Sequence, residues 1–92
     1  MNAPNGSLGM TVGKDGVVRI EEGGFVIHTF PDIIVAKASI QVAADDYDFE
    51  VEELEDQGLD ARGAKAYRNA YRRFSLTLYR LQLKAHRLSR GY

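Results

Sequence analysis

Between residues 10 and 54, apolar and polar residues alternate with a period of two, interrupted by turn-forming residues. Successive side chains of a strand point to opposite faces, so this pattern predicts strands with one apolar face. The turns imply registers that can be checked against one another. A three-residue loop Lys14-Asp15-Gly16, with Gly16 left-handed, pairs Val12 with Val18 and Met10 with Ile20. A turn at Glu22-Gly23 pairs Ile20 with Phe25 and Val18 with Ile27. A turn at Pro31-Asp32 sets Ile27 opposite Ala36 and Phe25 opposite Ala38. A loop over residues 43–46 pairs Val42 with Tyr47, Ile40 with Phe49 and Ala38 with Val51. All four turns leave the same face apolar, and a one-residue slip would turn a strand inside out. The pattern thus predicts an α+β fold built on a five-stranded antiparallel meander. Within 43–56, Tyr47, Val51 and Leu54 also fit a helical period.

The opposite face of that sheet carries Arg19, Lys37, Ser39, Gln41, Asp48, Glu50 and Glu52, which suits water. Val26, His28, Phe30, Ile33 and Val35 point the same way and form an apolar island there. After Gly58 the period changes. Asp60 is placed to cap a helix and to complement its N-terminal dipole. One long C-terminal helix is predicted over 61–90, about 45 Å at 1.5 Å per residue, with Gly91 beyond its end. Ala64, Tyr67, Tyr71, Phe74, Leu78, Leu81, Ala85 and Leu88 form a stripe at spacings of three and four that covers one face of the sheet. The same spacing fits a coiled-coil seam. On the far side, Leu76, Tyr79 and Leu83 share a line with Arg72, Arg87 and Arg90. These three apolar residues form either an interface anchor with a basic rim or a part of the core reached by a bent helix. As an interface, they imply a homodimer through paired helices. The polar, Gly- and Asn-containing residues 1–9 read as a flexible tail, and 10–92 as a single domain.

Charge sharpens the picture. The net charge of −1 over 92 residues conceals two segregated blocks. Residues 45–60 contain nine of the thirteen acids and no base: Asp45, Asp46, Asp48, Glu50, Glu52, Glu53, Glu55, Asp56 and Asp60. Residues 61–92 contain nine of the twelve bases and no acid. Of these, Arg68, Arg72, Arg73, Arg80, Lys84 and Arg87 are the candidate basic contacts. Opposed fields of this kind bear on partners and association rates. No apolar run reaches the roughly 18 residues of a membrane span. The start of the chain has no basic, apolar signal-peptide pattern. With no cysteine, there is neither a disulfide framework nor a thiolate metal site, which points to the cytoplasm.

The residue types needed for catalysis do not cluster. His28 and His86 fall in different elements, and no serine has a triad context. The glycines of GKDG and EGG are hairpin residues without phosphate-loop spacing. DDYDFEVEELED fails as a calcium loop, because Val51 replaces the required glycine and Gln57 the final glutamate. Neither a cofactor nor an enzymatic activity is expected.

Two function classes follow. In the first, the carboxylates of Asp45, Asp46, Asp48, Glu50, Glu52, Glu53 and Glu55 meet a basic groove of a protein complex that handles nucleic acid. In the second, the basic face of the C-terminal helix binds nucleic acid directly, with Tyr79 stacking on a base. The near-neutral net charge and the acidic block weigh against the second. The chain resembles small phage-encoded inhibitors of host defence, of the anti-CRISPR kind. The likeness spans the whole chain and is one of size, the DYDFEVEELED block and the basic helix, with no diagnostic motif. It implies stoichiometric blocking of a CRISPR effector without catalysis, in the host cytoplasm.

Overall fold

Strands form where the alternation of residues 10–30 predicts them, with the first hairpin in the expected register and the second in a different one. In the computed structural model, which describes residues 8–89, strands β1 (Leu8–Val12), β2 (Val18–Glu22) and β3 (Phe25–Phe30) form an antiparallel sheet in the order β1-β2-β3. The first hairpin has the expected register, with Val12 opposite Val18 and Met10 opposite Ile20. Its loop is closed by the Gly13 N–H donating to the Val17 carbonyl at 2.9 Å, and Gly16 takes φ +86°. The second hairpin turns one residue later than expected. Gly23 and Gly24 have φ of +61° and +86°, the signs that a tight two-residue hairpin turn requires and that glycine adopts without steric cost. Glu22 therefore faces Phe25, and a bulge next to Ile20 places His28 opposite Ile20 and Phe30 opposite Val18. The expected pairs Ile20–Phe25 and Val18–Ile27 do not form. Leu8 and Gly9, assigned to the tail, belong to β1, and the rest of that tail lies outside the described residues.

The five-stranded meander is overturned after Phe30. Residues expected as a fourth and fifth strand form a helix, α1 (Ile33–Asp56), and the sheet has three strands. The local physics is clear once Asp32 is read as a cap. Its carboxylate accepts the Val35 N–H at 2.8 Å, and the Asp32 carbonyl accepts the Ala36 N–H at 3.0 Å. Neither Gly nor Pro occurs from 33 to 57, so the two strongest turn formers are missing from the loop that a strand pair across 43–46 needs. Alanines 36, 38, 43 and 44 and five glutamate or glutamine residues favour the helix. Ala36, Ile40, Ala44 and Val51 are buried at spacings of four, four and seven, the period of a helix face. The even-numbered apolar residues Ala36, Ala38, Ile40 and Val42 imitated a strand, although Ala38 and Val42 are exposed.

α1 ends at a left-handed glycine. Gly58 has φ +70°. The Leu59 N–H donates to the Leu54 carbonyl at 2.8 Å and the Gly58 N–H to the Glu55 carbonyl at 3.0 Å. This is the double bond of a Schellman ending. The chain then reverses into α2 (Arg62–Ser89), close to the predicted helix. Arg90 lies outside the described residues. α1 and α2, about 36 and 42 Å long, form a helical hairpin that packs on one face of the sheet. Val18 and Ile20 of β2 are fully buried against Ala36, Ile40 and Ala44 of α1 and Ala70, Tyr71, Phe74 and Leu78 of α2. A second cluster, Val51, Ala61 and Ala64, closes the hairpin's tip. Each large side chain so buried contributes about 1.5–3 kcal/mol. The alanines let the helices approach closely. The predicted α2 stripe is buried or half-buried from Ala64 to Leu81, whereas Ala85 and Leu88 are exposed. Ala38, expected near the sheet centre, is also exposed.

Candidate partner-binding surfaces

On a strand, Asp48, Glu50 and Glu52 would share a face; on α1 they do not. The helical period sends the acidic block in several directions. Asp48 and Glu55 turn toward α2. Asp48 meets Arg68 at 3.4 Å and Arg72 at 3.2 Å, and Glu55 meets Lys65 at 2.8 Å. Asp45 and Glu52 continue the line of Ile34 and Ala38 on the hairpin side away from the sheet. Asp46 and Glu53 continue the line of Val35 and Val42, on the flank of α1 away from α2. Glu50 lies near Tyr47, whose hydroxyl pKa is raised by burial and then by the Glu50 and Glu22 charges. The two charge blocks thus partly neutralise each other inside one hairpin. Apart from the mostly buried Arg68 side chain, the partners are about half-exposed, so each pair is worth on the order of 1 kcal/mol.

The bases divide in the same way. Arg68 and Arg72 are engaged with Asp48. Arg62 is bound to Asp60 through its side chain at 2.9 Å. Arg73, Arg80, Lys84 and Arg87 recur at spacings of seven, four and three and make one exposed stripe about 21 Å long on the side of α2 away from α1. No ion pair holds these four among the described residues.

Leu76, Tyr79 and Leu83 remain 48%, 47% and 39% exposed, so the helix does not bend to bring them into the core. The Lys37 ammonium lies 5.5 Å from the centre of the Tyr79 ring. Beside it a shallow groove of about 220 Å³ is lined by Ile34, Lys37, Ala38, Gln41 and Gln82. The hairpin face turned from the sheet is therefore apolar at its open end, and acidic toward its tip through Asp45 and Glu52. Pattern reasoning missed the α1 half of this face, because it placed Ile34 and Ala38 on strands. Of the expected sheet island, Val26, His28 and Val35 are exposed, while Phe30 and Ile33 pack against the core.

Two further polar arrangements fix the hairpin to the sheet and at its tip. Tyr67 donates its hydroxyl to Glu22 of β2, which with burial and the Glu22 charge raises its pKa to about 12. Tyr47 stacks on Tyr67 and Tyr71 with ring centres 5.4 and 5.7 Å away. Burial, then the neighbouring Tyr47 and Glu22, raises the Tyr71 hydroxyl as well. At the tip, the Arg62 side chain and then its backbone N–H hydrogen-bond Asp60 and lower its pKa to about 2. Among the described residues, no three His, Cys, Asp or Glu side chains are arranged to hold a metal ion, and no helix is long and apolar enough to cross a membrane. Compared with known proteins, the chain matches no family model, no curated protein and no solved structure.

Proposed function

We propose that the chain is a non-catalytic protein-binding module acting in the cytoplasm, and that its contact surface is the hairpin face turned away from the sheet. The observation that carries this reading is the composition of that face. Leu76, Tyr79, Leu83 and Ile34 stand exposed around a shallow groove, with the carboxylates of Asp45 and Glu52 in line beyond them. A patch of large apolar side chains with a charged margin fits a protein partner. The narrower form of the proposal is that the partner is a nucleic-acid-handling complex such as a CRISPR effector, blocked as the anti-CRISPR kind of inhibitor would block it. Its support is the acidic excess of the tip, where residues 45–73 carry nine acids and five bases. Such an excess suits a groove that otherwise receives phosphates.

The test is capture of partners from the native host by the full chain and by two variants. Asp45→Lys with Glu52→Lys should weaken capture and flatten its salt dependence. Leu76→Glu with Leu83→Glu should abolish it. Unchanged capture by both variants contradicts the proposed surface.

A second reading rests on the unpaired stripe of Arg73, Arg80, Lys84 and Arg87, which could follow a phosphate backbone. It predicts salt-dependent binding of the chain alone to DNA or RNA, lost when the four are replaced by Gln. Absence of such binding in a direct titration removes it.

A further inference from the structure

β3 is an edge strand without the usual protection. It has no Lys, no Pro and no acid, and Phe25, Val26 and Ile27 are all exposed, Phe25 by 76%. Natural edges of this kind are charged, bulged, shortened or covered, because their free backbone groups otherwise recruit another strand. The one bulge here lies at the Val26–Ile27 end of the pairing with β2 and leaves these side chains in the open.

The helix beneath the edge is unprotected too. Val35, Val42 and Phe49 recur every seven residues on the flank of α1 away from α2, with Val42 59% and Phe49 66% exposed. Strand and flank adjoin. His28 and Phe30 of β3 line a small cavity together with Ser39, Ile40 and Ala43 of α1. The result is a side of the domain with exposed apolar residues on both elements and the carboxylates of Asp46 and Glu53 toward the hairpin tip, built from residues other than those of the face assigned above to a partner.

We propose that a second copy of the chain covers this side, with α1 antiparallel to α1 across a two-fold axis passing close to Val42. Two features select that occupant. The first is symmetry of spacing. Val35 and Phe49 lie seven residues on either side of Val42, so an antiparallel two-fold sets Val42 against itself and each Val35 against Phe49 of the other copy. A two-fold contact must be self-complementary in this way. The second is charge. Residues 33–44 of α1 contain no acid, and residues 45–56 contain eight. The antiparallel arrangement lays the acid-free half of each helix on the acidic half of the other, and brings the positive N-terminal end of each dipole toward carboxylates. A parallel pair would stack Asp46 on Asp46 and Glu53 on Glu53. The same operation turns the two β3 edges toward each other, which accounts for an edge left without charge.

The chain has no cysteine, so single thiols report the contact directly. Val42→Cys in the full chain should form a disulfide-linked dimer under mild oxidation about a hundredfold faster than Leu83→Cys or Thr77→Cys, because docking raises the local thiol concentration toward the millimolar range. Val35→Cys mixed with Phe49→Cys should cross-link faster than either variant alone. In sedimentation, Val42→Glu should leave one chain per particle where the unsubstituted chain has two, with its circular dichroism unchanged. Should Val42→Glu not fold, the cysteine variants decide alone. Cross-linking of Val42→Cys no faster than that of Leu83→Cys, or a single chain per particle for the unsubstituted protein at high micromolar concentration, overturns the proposal. Either result would leave the hairpin-face reading intact, since that face uses other residues.

Discussion

The two helices of the hairpin meet the sheet through similar stripes: Ala36, Ile40 and Ala44 on α1, and Ala70, Tyr71, Phe74 and Leu78 on α2. Their outward sides differ. α2 is basic along its whole outward length, with Leu76, Tyr79 and Leu83 inserted near its open end. α1 is apolar outward in its first half, through Ile34, Val35 and Val42, and acidic in its second, where Phe49 extends the apolar line. A helix with one apolar stripe is satisfied by one neighbour. A helix apolar on two or three sides is satisfied only when those sides are covered. The difference between the helices is thus a statement about assembly as well as about packing.

The sharpest way to test the comparison is to truncate one residue from each class. Leu78→Ala or Ile40→Ala removes a fully buried side chain at the joint between both helices and the sheet. Each should cost about 2–5 kcal/mol in denaturant unfolding. Val42→Ala should cost less than about 0.5 kcal/mol in dilute solution, as an exposed site would. A core-sized loss at Val42 in dilute solution would mean that α1 is packed differently. Gly58→Ala probes the joint between the helices. A Cβ there meets nothing within 4 Å, so the penalty is the left-handed φ alone, about 1–2 kcal/mol.

A smaller effect separates the two helix starts. Asp32→Ala should destabilise by about 1 kcal/mol through loss of the α1 cap. Asp60 acts through its charge, and its sign can be worked out. Its folded pKa of about 2 lies below the unfolded value, near 3.9. Its contribution is therefore present above about pH 4 and is lost as pH falls through 2. Asp60→Asn should lower stability slightly above about pH 4, a small effect because the group is fully exposed, and flatten that part of the acid-unfolding profile.

The same contrast explains what was legible in the sequence. α2 could be read because Asp60, a single long stripe and the spacing of Tyr67, Tyr71, Phe74 and Leu78 agree. β1 and β2 could be read because Gly16 supplies the left-handed residue that their loop needs. α1 could not be read from alternation, because Ala36, Ala38, Ile40 and Val42 fall on even positions and lie on opposite sides of one helix. The informative signals were a capping Asp32 after Pro31 and the lack of any Gly or Pro from there to Gly58. Among site residues, the exposed line of Leu76, Tyr79 and Leu83 was legible from α2 alone. The pairing of Asp48 with Arg68 and Arg72 depends on which helix faces which, and no local pattern carries that information.

Thermal unfolding across a wide range of chain concentration tests the claim about α1 most directly. If a second copy covers its outer flank, the unfolding midpoint rises with concentration by mass action. Val42→Ser should remove that dependence and Leu83→Ser should retain it. A midpoint independent of concentration in the unsubstituted chain, or a dependence that survives Val42→Ser, would contradict the account.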